Sequence, residues 1–130
     1  MTVRDQLMYT TSHEWIRRED EVAVIGITDY AQDALGKLVY VEMPTIGREV
    51  SRGDEVVSIE SVKVAESVYT PVSGKVKAVN SKLDTNPELI NEAPYDTFIY
   101  SIKMSDSDEL DSYMDAATYR AFMDSEDAKD

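Results

Sequence analysis

Between Glu21 and Met104 the apolar residues come in short runs broken by turn residues, at spacings that suit strands and are too short for helices. The body of the chain is therefore predicted to be β. Val22 to Ile27 and Leu38 to Met43 are rich in β-branched residues with apolar side chains at both parities, so both strands are expected to be largely buried. Phe98, Tyr100, Ile102 and Met104 alternate with Ser101 and Lys103, the pattern of a strand with one inward face.

Helical signals lie at two places. Thr28 offers an N-cap, Asp29 an acidic first turn and Gly36 a left-handed C-terminal cap, which predicts a short helix near 28–36. After Met104, Ser105, Asp106 and Ser107 supply caps, and Leu110, Tyr113, Met114 and Ala117 follow at helical spacing. They predict a C-terminal helical segment near 106–123, with Asp115 capping its second part. Asn80 to Pro94 has no sustained period and contains two X-Pro steps, so it reads as a surface excursion with one helical turn at Glu88 to Asn91. Residues 124–130 read as a frayed acidic tail. The pattern describes one domain over 1–130, mainly β (α+β), a β-sandwich or flattened barrel with its helical end packed outside.

Composition narrows the function. The 26 acidic and 13 basic residues give a formal net charge of −13, which repels a phosphate backbone and disfavours nucleic acid; it suits docking on basic partner surfaces. No run approaches the roughly 18 apolar residues of a membrane span. Met1-Thr2-Val3-Arg4-Asp5-Gln6 lacks a secretory or transit-peptide pattern, so a cytoplasmic monomer is expected. The chain has no cysteine, so any redox chemistry needs an attached group. No nucleophile–base pair, metal-ligand cluster or phosphate-binding glycine loop stands out, and an enzyme is disfavoured.

The most informative stretch is centred on Lys63. A turn around Gly53-Asp54 leads into an apolar run, a second run ends at Ser73-Gly74, and the lysine lies ten residues after Gly53 and eleven before Gly74. If the two runs pair as strands, the chain reverses at Val62-Lys63-Val64 and exposes the amine on a rigid support. Glu60 and Glu66 flank it three residues away. For an arbitrary lysine, a merely solvated side chain is the stronger reading.

The wider sequence reverses that ordering. Glu60-Ser61-Val62-Lys63 followed by Tyr69-Thr70-Pro71-Val72-Ser73-Gly74 resembles the lipoylation segment of glycine cleavage H-proteins. Ser12-His13-Glu14-Trp15, Gly26-Ile27-Thr28-Asp29-Tyr30-Ala31-Gln32, Val39-Tyr40-Val41-Glu42-Met43-Pro44, Pro87-Glu88-Leu89-Ile90-Asn91 and Pro94-Tyr95 follow the same family in order and spacing. Biotin carriers place methionines on both sides of the lysine, where this chain has Val62 and Val64.

The resemblance implies a lipoyl/biotinyl-type β-sandwich whose hairpin presents Lys63 for covalent lipoate, and a carrier rather than a catalyst. Its partners would be a pyridoxal-phosphate glycine decarboxylase (P-protein), a tetrahydrofolate-dependent aminomethyltransferase (T-protein) and dihydrolipoyl dehydrogenase (L-protein), with a lipoyl ligase or octanoyltransferase to load it. It implies that Glu60, Ser61, Val62, Val64, Glu66 and Gly74 serve recognition by the loading enzyme, and that Ser12, Glu14 and Ser67 border a cleft sheltering the arm. Two departures stand out: Glu66-Ser67 shifts an acidic group by one position, and Tyr95-Asp96-Thr97-Phe98 is one residue shorter than the family's usual turn. Two alternatives are a relay that donates lipoate to 2-oxo acid dehydrogenase subunits and an unmodified β-sandwich interaction module.

Overall fold

The computed structural model describes residues 1–128. In chain order the strands are β1 (Met8–Tyr9), β2 (Glu14–Glu19), β3 (Val22–Ile27), β4 (Leu38–Glu42), β5 (Glu49–Val50), β6 (Glu55–Ser61), β7 (Ala65–Tyr69), β8 (Gly74–Val79) and β9 (Tyr100–Met104). The helices are α1 (Asp29–Leu35), α2 (Leu89–Glu92) and α3 (Ala116–Ala128), with 3₁₀ turns at Ser81–Asp84 and Ser107–Ser112. The strands form two antiparallel sheets, one of six in the order β1-β2-β3-β9-β8-β5 and one of three in the order β4-β6-β7. The sheets do not close into a barrel, so of the two expected arrangements the sandwich is the observed one.

Each face of the large sheet has its own cover. On one face Ile16, Ile25 and Ile102 join Leu38, Val41, Val57, Ile59 and Val68 of the small sheet in the main core. On the other, Tyr9, Trp15, Val24 and Tyr95 pack with Tyr119 and Met123 of α3. Alternation along β2 divides its residues between the two layers, Trp15 to one and Ile16 to the other. Trp15 is fully buried, donates from Nε1 to the Pro94 carbonyl at 2.9 Å and lies so close on Gly26 that a Cβ there would come within 2.5 Å of the indole.

Several expectations hold locally. Thr28 caps α1 by accepting from the Ala31 amide, and Gly36, at φ +81°, ends it by donating to the Gln32 carbonyl. Asp115 caps α3 through the Thr118 amide at 2.8 Å. Others are corrected. β2 lies outside the predicted β body, because Arg17, Arg18 and Glu19 are exposed and leave only half the strand with an apolar signature. β4 is not buried on both faces: Val39 and Tyr40 are each 49% exposed, because the small sheet has no layer outside it. Ser101 of β9 is buried despite its polarity.

The C-terminal stripe does not lie on one helix. The backbone of Met114 exchanges both hydrogen bonds with Tyr9, at 2.8 and 2.9 Å, and this bridge interrupts the helical path between Leu110 and Ala116. α3 then continues to Ala128, through part of the stretch expected to fray; residues 129–130 lie outside the described residues. In the shortened turn, Asp96 is anchored by Arg4 at 2.7 Å and Thr97 donates to the Leu89 carbonyl.

Gly74 begins β8 in the large sheet, opposite Met104, where a Cβ would stand 2.0 Å from the Lys103 carbonyl oxygen. Its absence of a side chain is therefore a packing requirement. Gly74→Ala is expected to lower stability by about 2–3 kcal/mol in urea denaturation while leaving modification of the folded fraction unchanged. A stable Ala variant that resists modification would reverse that assignment.

Candidate functional site

β6 and β7 pair with Glu60 opposite Ala65, so the chain does reverse at Val62-Lys63-Val64. Without an Asn-Gly or Asp-Gly turn, the reversal is held by Ser61. Its amide donates to the Val64 carbonyl at 2.8 Å, and its hydroxyl oxygen accepts from the Lys63 and Val64 amides at 3.2 and 3.1 Å. The remaining tip amide, that of Val62, donates to the Lys37 carbonyl at 3.0 Å. All three backbone donors of the tip are thus satisfied while the side chains of Val62, Lys63 and Val64 remain exposed. Among the described residues Lys63 makes no ion pair.

The other anticipated residues divide. Ser61 is buried and holds the turn, while Glu60 faces outward beside Tyr40 and Ala65. Gly74 is not brought to the tip. Glu66 pairs with the fully buried Ile59 and therefore shares the inner face of the hairpin. Ser67 lies on the alternate face, and its hydroxyl donates to Glu55 at 2.6 Å.

Ser12, Glu14, Glu66 and Ser67 do meet, around a cleft of about 340 Å³. Its apolar walls are Ile27, Ala31, Leu35, Val64 and Val68. Glu14 is only 2% exposed, and one carboxylate oxygen accepts from Thr10 and Ser12 hydroxyls at 2.5 and 2.6 Å. Burial pushes its pKa up, and those two hydrogen bonds partly offset the shift. Thr10 was not anticipated; its hydroxyl oxygen also accepts from the Glu14 amide at 3.0 Å, which fixes the loop between β1 and β2.

His13 borders the same cleft with a backbone φ of +68°, its ring stacked on Tyr30 and its Nδ1 2.7 Å from the Tyr119 hydroxyl. That hydroxyl also meets Thr28 Oγ1 at 2.8 Å, so α3 braces both the cleft loop and the start of α1. Burial lowers the His13 pKa and Glu126 opposes the shift, which suits a neutral ring bonded to Tyr119. A larger concavity of about 780 Å³ runs along Glu49, Ser73, Lys75 and Lys103, and none of its lining residues belongs to the tip. No group of three or more potential metal ligands occurs among the described residues, and no helix there is long and apolar enough to cross a membrane.

Comparison with known proteins gives the family. A family model described as glycine cleavage H-protein matches residues 7–126. The chain belongs to the glycine cleavage H-protein family. The H-protein of Alcanivorax borkumensis is 48% identical, over 93% of this chain and 95% of its own. That of Thermotoga maritima is 50% identical, over 88% and 93%. A crystal structure of an H-protein from Mycobacterium marinum superposes with a TM-score of 0.84 at 30% identity, covering 92% of this chain and 97% of that one.

In this H-protein the raised pKa of Glu14 has a definite thermodynamic sign. The native state keeps the proton to higher pH than the unfolded chain, so the contribution of Glu14 is most favourable below its ordinary value of 4.5. That contribution falls as pH rises from there through the native pKa. Urea denaturation across about pH 4 to 8 is expected to show wild type losing stability relative to Glu14→Gln over that window. A relative gain with rising pH would contradict the buried-carboxylate assignment.

Proposed function

We propose that Lys63 is the residue on which this H-protein carries lipoate, and that the cleft floored by Glu14 receives the loaded arm. The observation that carries the reading is the tip itself, where every backbone amide is held and the lysine amine is left exposed. An attachment point needs both properties, since a mobile backbone would spread the arm over many positions and a paired amine would resist acylation.

The chain is a non-catalytic component of the glycine cleavage system, as its family membership establishes. It carries covalent lipoate and works with the P-, T- and L-proteins. The residues present fit that group: an exposed primary amine, an apolar-walled cleft beside it and a buried carboxylate with two hydroxyl donors. When bound, lipoate supplies a reducible disulfide, which the cysteine-free chain lacks, to take up the one-carbon unit derived from glycine.

The chain's own residues hold, shelter and orient. Ile27, Ala31, Leu35, Val64 and Val68 give the cleft apolar walls, against which a docked arm would displace water from a hydrolysable cargo. Glu14 offers a negative acceptor in a low-dielectric setting, where attraction to an amine-bearing cargo exceeds its value in water. Ser12 and Thr10 hold that carboxylate in place. Glu66, on the inner face, adds a second carboxylate to the wall, whereas the Ser67 hydroxyl is engaged by Glu55. Tethering raises the local concentration of the carried group at a docked partner to the order of millimolar, so weak and reversible docking suffices. A cytoplasmic location belongs to this reading and rests on the metabolic carrier family to which the chain belongs.

Intact mass spectrometry tests the assignment. After incubation with a lipoyl ligase, lipoate and ATP, wild type is expected to gain one lipoyl adduct and Lys63→Arg none. An adduct that persists in the variant, or an unmodified wild type, would overturn it.

A further inference from the structure

The segment Pro87-Glu88-Leu89-Ile90-Asn91 lines neither the cleft nor the hairpin tip, yet it supplies a side chain with an unusual set of partners. The Asn91 amide oxygen accepts from the Leu38 amide at 2.9 Å. Its amide nitrogen donates to the Gly36 carbonyl at 2.8 Å and to Gln32 Oε1 at 3.0 Å. Gln32 in turn donates from Nε2 to Asp29 at 2.8 Å, which fixes its own oxygen toward Asn91. The fully buried Ile90 anchors α2 in the core, so the neighbouring Asn91 stands on a fixed support.

These bonds grip residues 36 and 38 on either side of Lys37, whose carbonyl accepts from the Val62 amide at the hairpin tip. Lys63 rests on the same strap. A Cβ built on Gly36 would stand 2.9 Å from Lys63 Cε, so the lysine stem crosses the bare glycine backbone. β4 is the edge of its sheet, with β6 on one side and no strand on the other. Beyond the pair Leu38 and Ser61 the β4–β6 ladder ends, and Lys37 to Val62 is the last tie to the tip. An edge segment with no outer neighbour is prone to fray, and Asn91 takes the place of that neighbour.

We infer that Asn91, 28 residues away in sequence, is a positioning residue for the lipoyl-attachment tip, acting through the strap Gly36-Lys37-Leu38 on Val62 and Lys63. The inference rests on Lys63 being the attachment point. Its physical content is that the tip is held from two sides, internally by Ser61 and externally by Asn91. Loss of the external hold leaves the turn formed but free to swing about the end of β6, so that it spends a smaller fraction of time in the place where a loading enzyme finds it.

Two variants test this. Asn91→Leu keeps the branched outline and the number of heavy atoms and removes all three bonds. Asn91→Asp keeps the acceptor for Leu38 but sets a carboxylate oxygen against the acceptors of Gly36 and Gln32. In both, hydrogen exchange followed by NMR is expected to show the Val62 amide exchanging close to the rate of an unprotected amide, with the Ser58 to Glu60 amides unchanged. In steady-state lipoylation by a lipoyl ligase with lipoate and ATP, the KM for the protein is expected to rise roughly tenfold, the factor for a competent fraction reduced to about a tenth. The kcat should be unchanged, because a smaller competent fraction weakens apparent binding and not the chemistry.

An unchanged Val62 rate and KM would overturn the inference. So would faster exchange along the whole of β6, which marks general destabilisation. Should neither variant fold, the wild-type Asn91 side-chain amide protons decide the matter: protection supports the clamp, and exchange as fast as in an exposed asparagine overturns it. A wild type that acquires no lipoyl mass would remove the Lys63 reading alone, since Val62 exchange still reports whether Asn91 holds the tip.

Discussion

A lysine that carries a long arm must keep its amine in solvent while its backbone stays still, and these demands conflict at a chain reversal, where exposed backbone is usually mobile. Three hydrogen bonds resolve the conflict. Ser61 takes the Lys63 and Val64 amides on one hydroxyl oxygen, and Lys37 takes the Val62 amide. With these amides bound inside the protein the tip backbone stays in place, and the Lys63 ammonium, which can only donate, has no ion-pair partner among the described residues. The rest of the fold supplies the positions of those acceptors: pairing of β6 with β7 places Ser61, and α1, capped by Thr28 and ended by Gly36, delivers Lys37.

The second constraint is the buried carboxylate. An ionised Glu14 at 2% exposure would be unfavourable without donors, and Thr10 and Ser12 supply them from the same loop. The loop is in turn shaped by His13 in a left-handed conformation, held by stacking on Tyr30 and by the Tyr119 hydroxyl. A left-handed non-glycine residue persists only where its surroundings over-determine it, and here they come from α1 and α3. The outer helix is therefore part of the cleft's support even though it lines none of it.

Those dependencies explain what could be read from the sequence. Thr28, Gly36 and Asp115 act through neighbours within a few residues, and the elements they cap were legible. The hairpin was legible because its two strands are adjacent in sequence. β2 was not, since its buried half is short and its remainder charged. Nor was the break after Leu110, which depends on Met114 meeting Tyr9 about a hundred residues earlier. The burial of Glu14 and the grip of Asn91 arise wholly from contacts between distant segments. Only similarity to a family drew attention to Glu14, and similarity alone assigned Asn91 no task.

The Glu66-Ser67 departure shows how much a one-residue shift changes when the side-chain period is two. An acid at 67 would project on the outer face, beside Glu55; at 66 it joins Ile59 on the inner face and borders the cleft. The negative charge at 66 thus stands on the inner face of the hairpin while staying exposed. Glu66 remains exposed and carries little desolvation penalty, whereas Glu14 is buried with its donors in place. The two carboxylates are therefore not equivalent. Attraction weakens as the dielectric around it rises, so in the proposed reading the buried Glu14 would set the position of a cationic cargo, and Glu66 would add a screened, salt-sensitive field at the mouth.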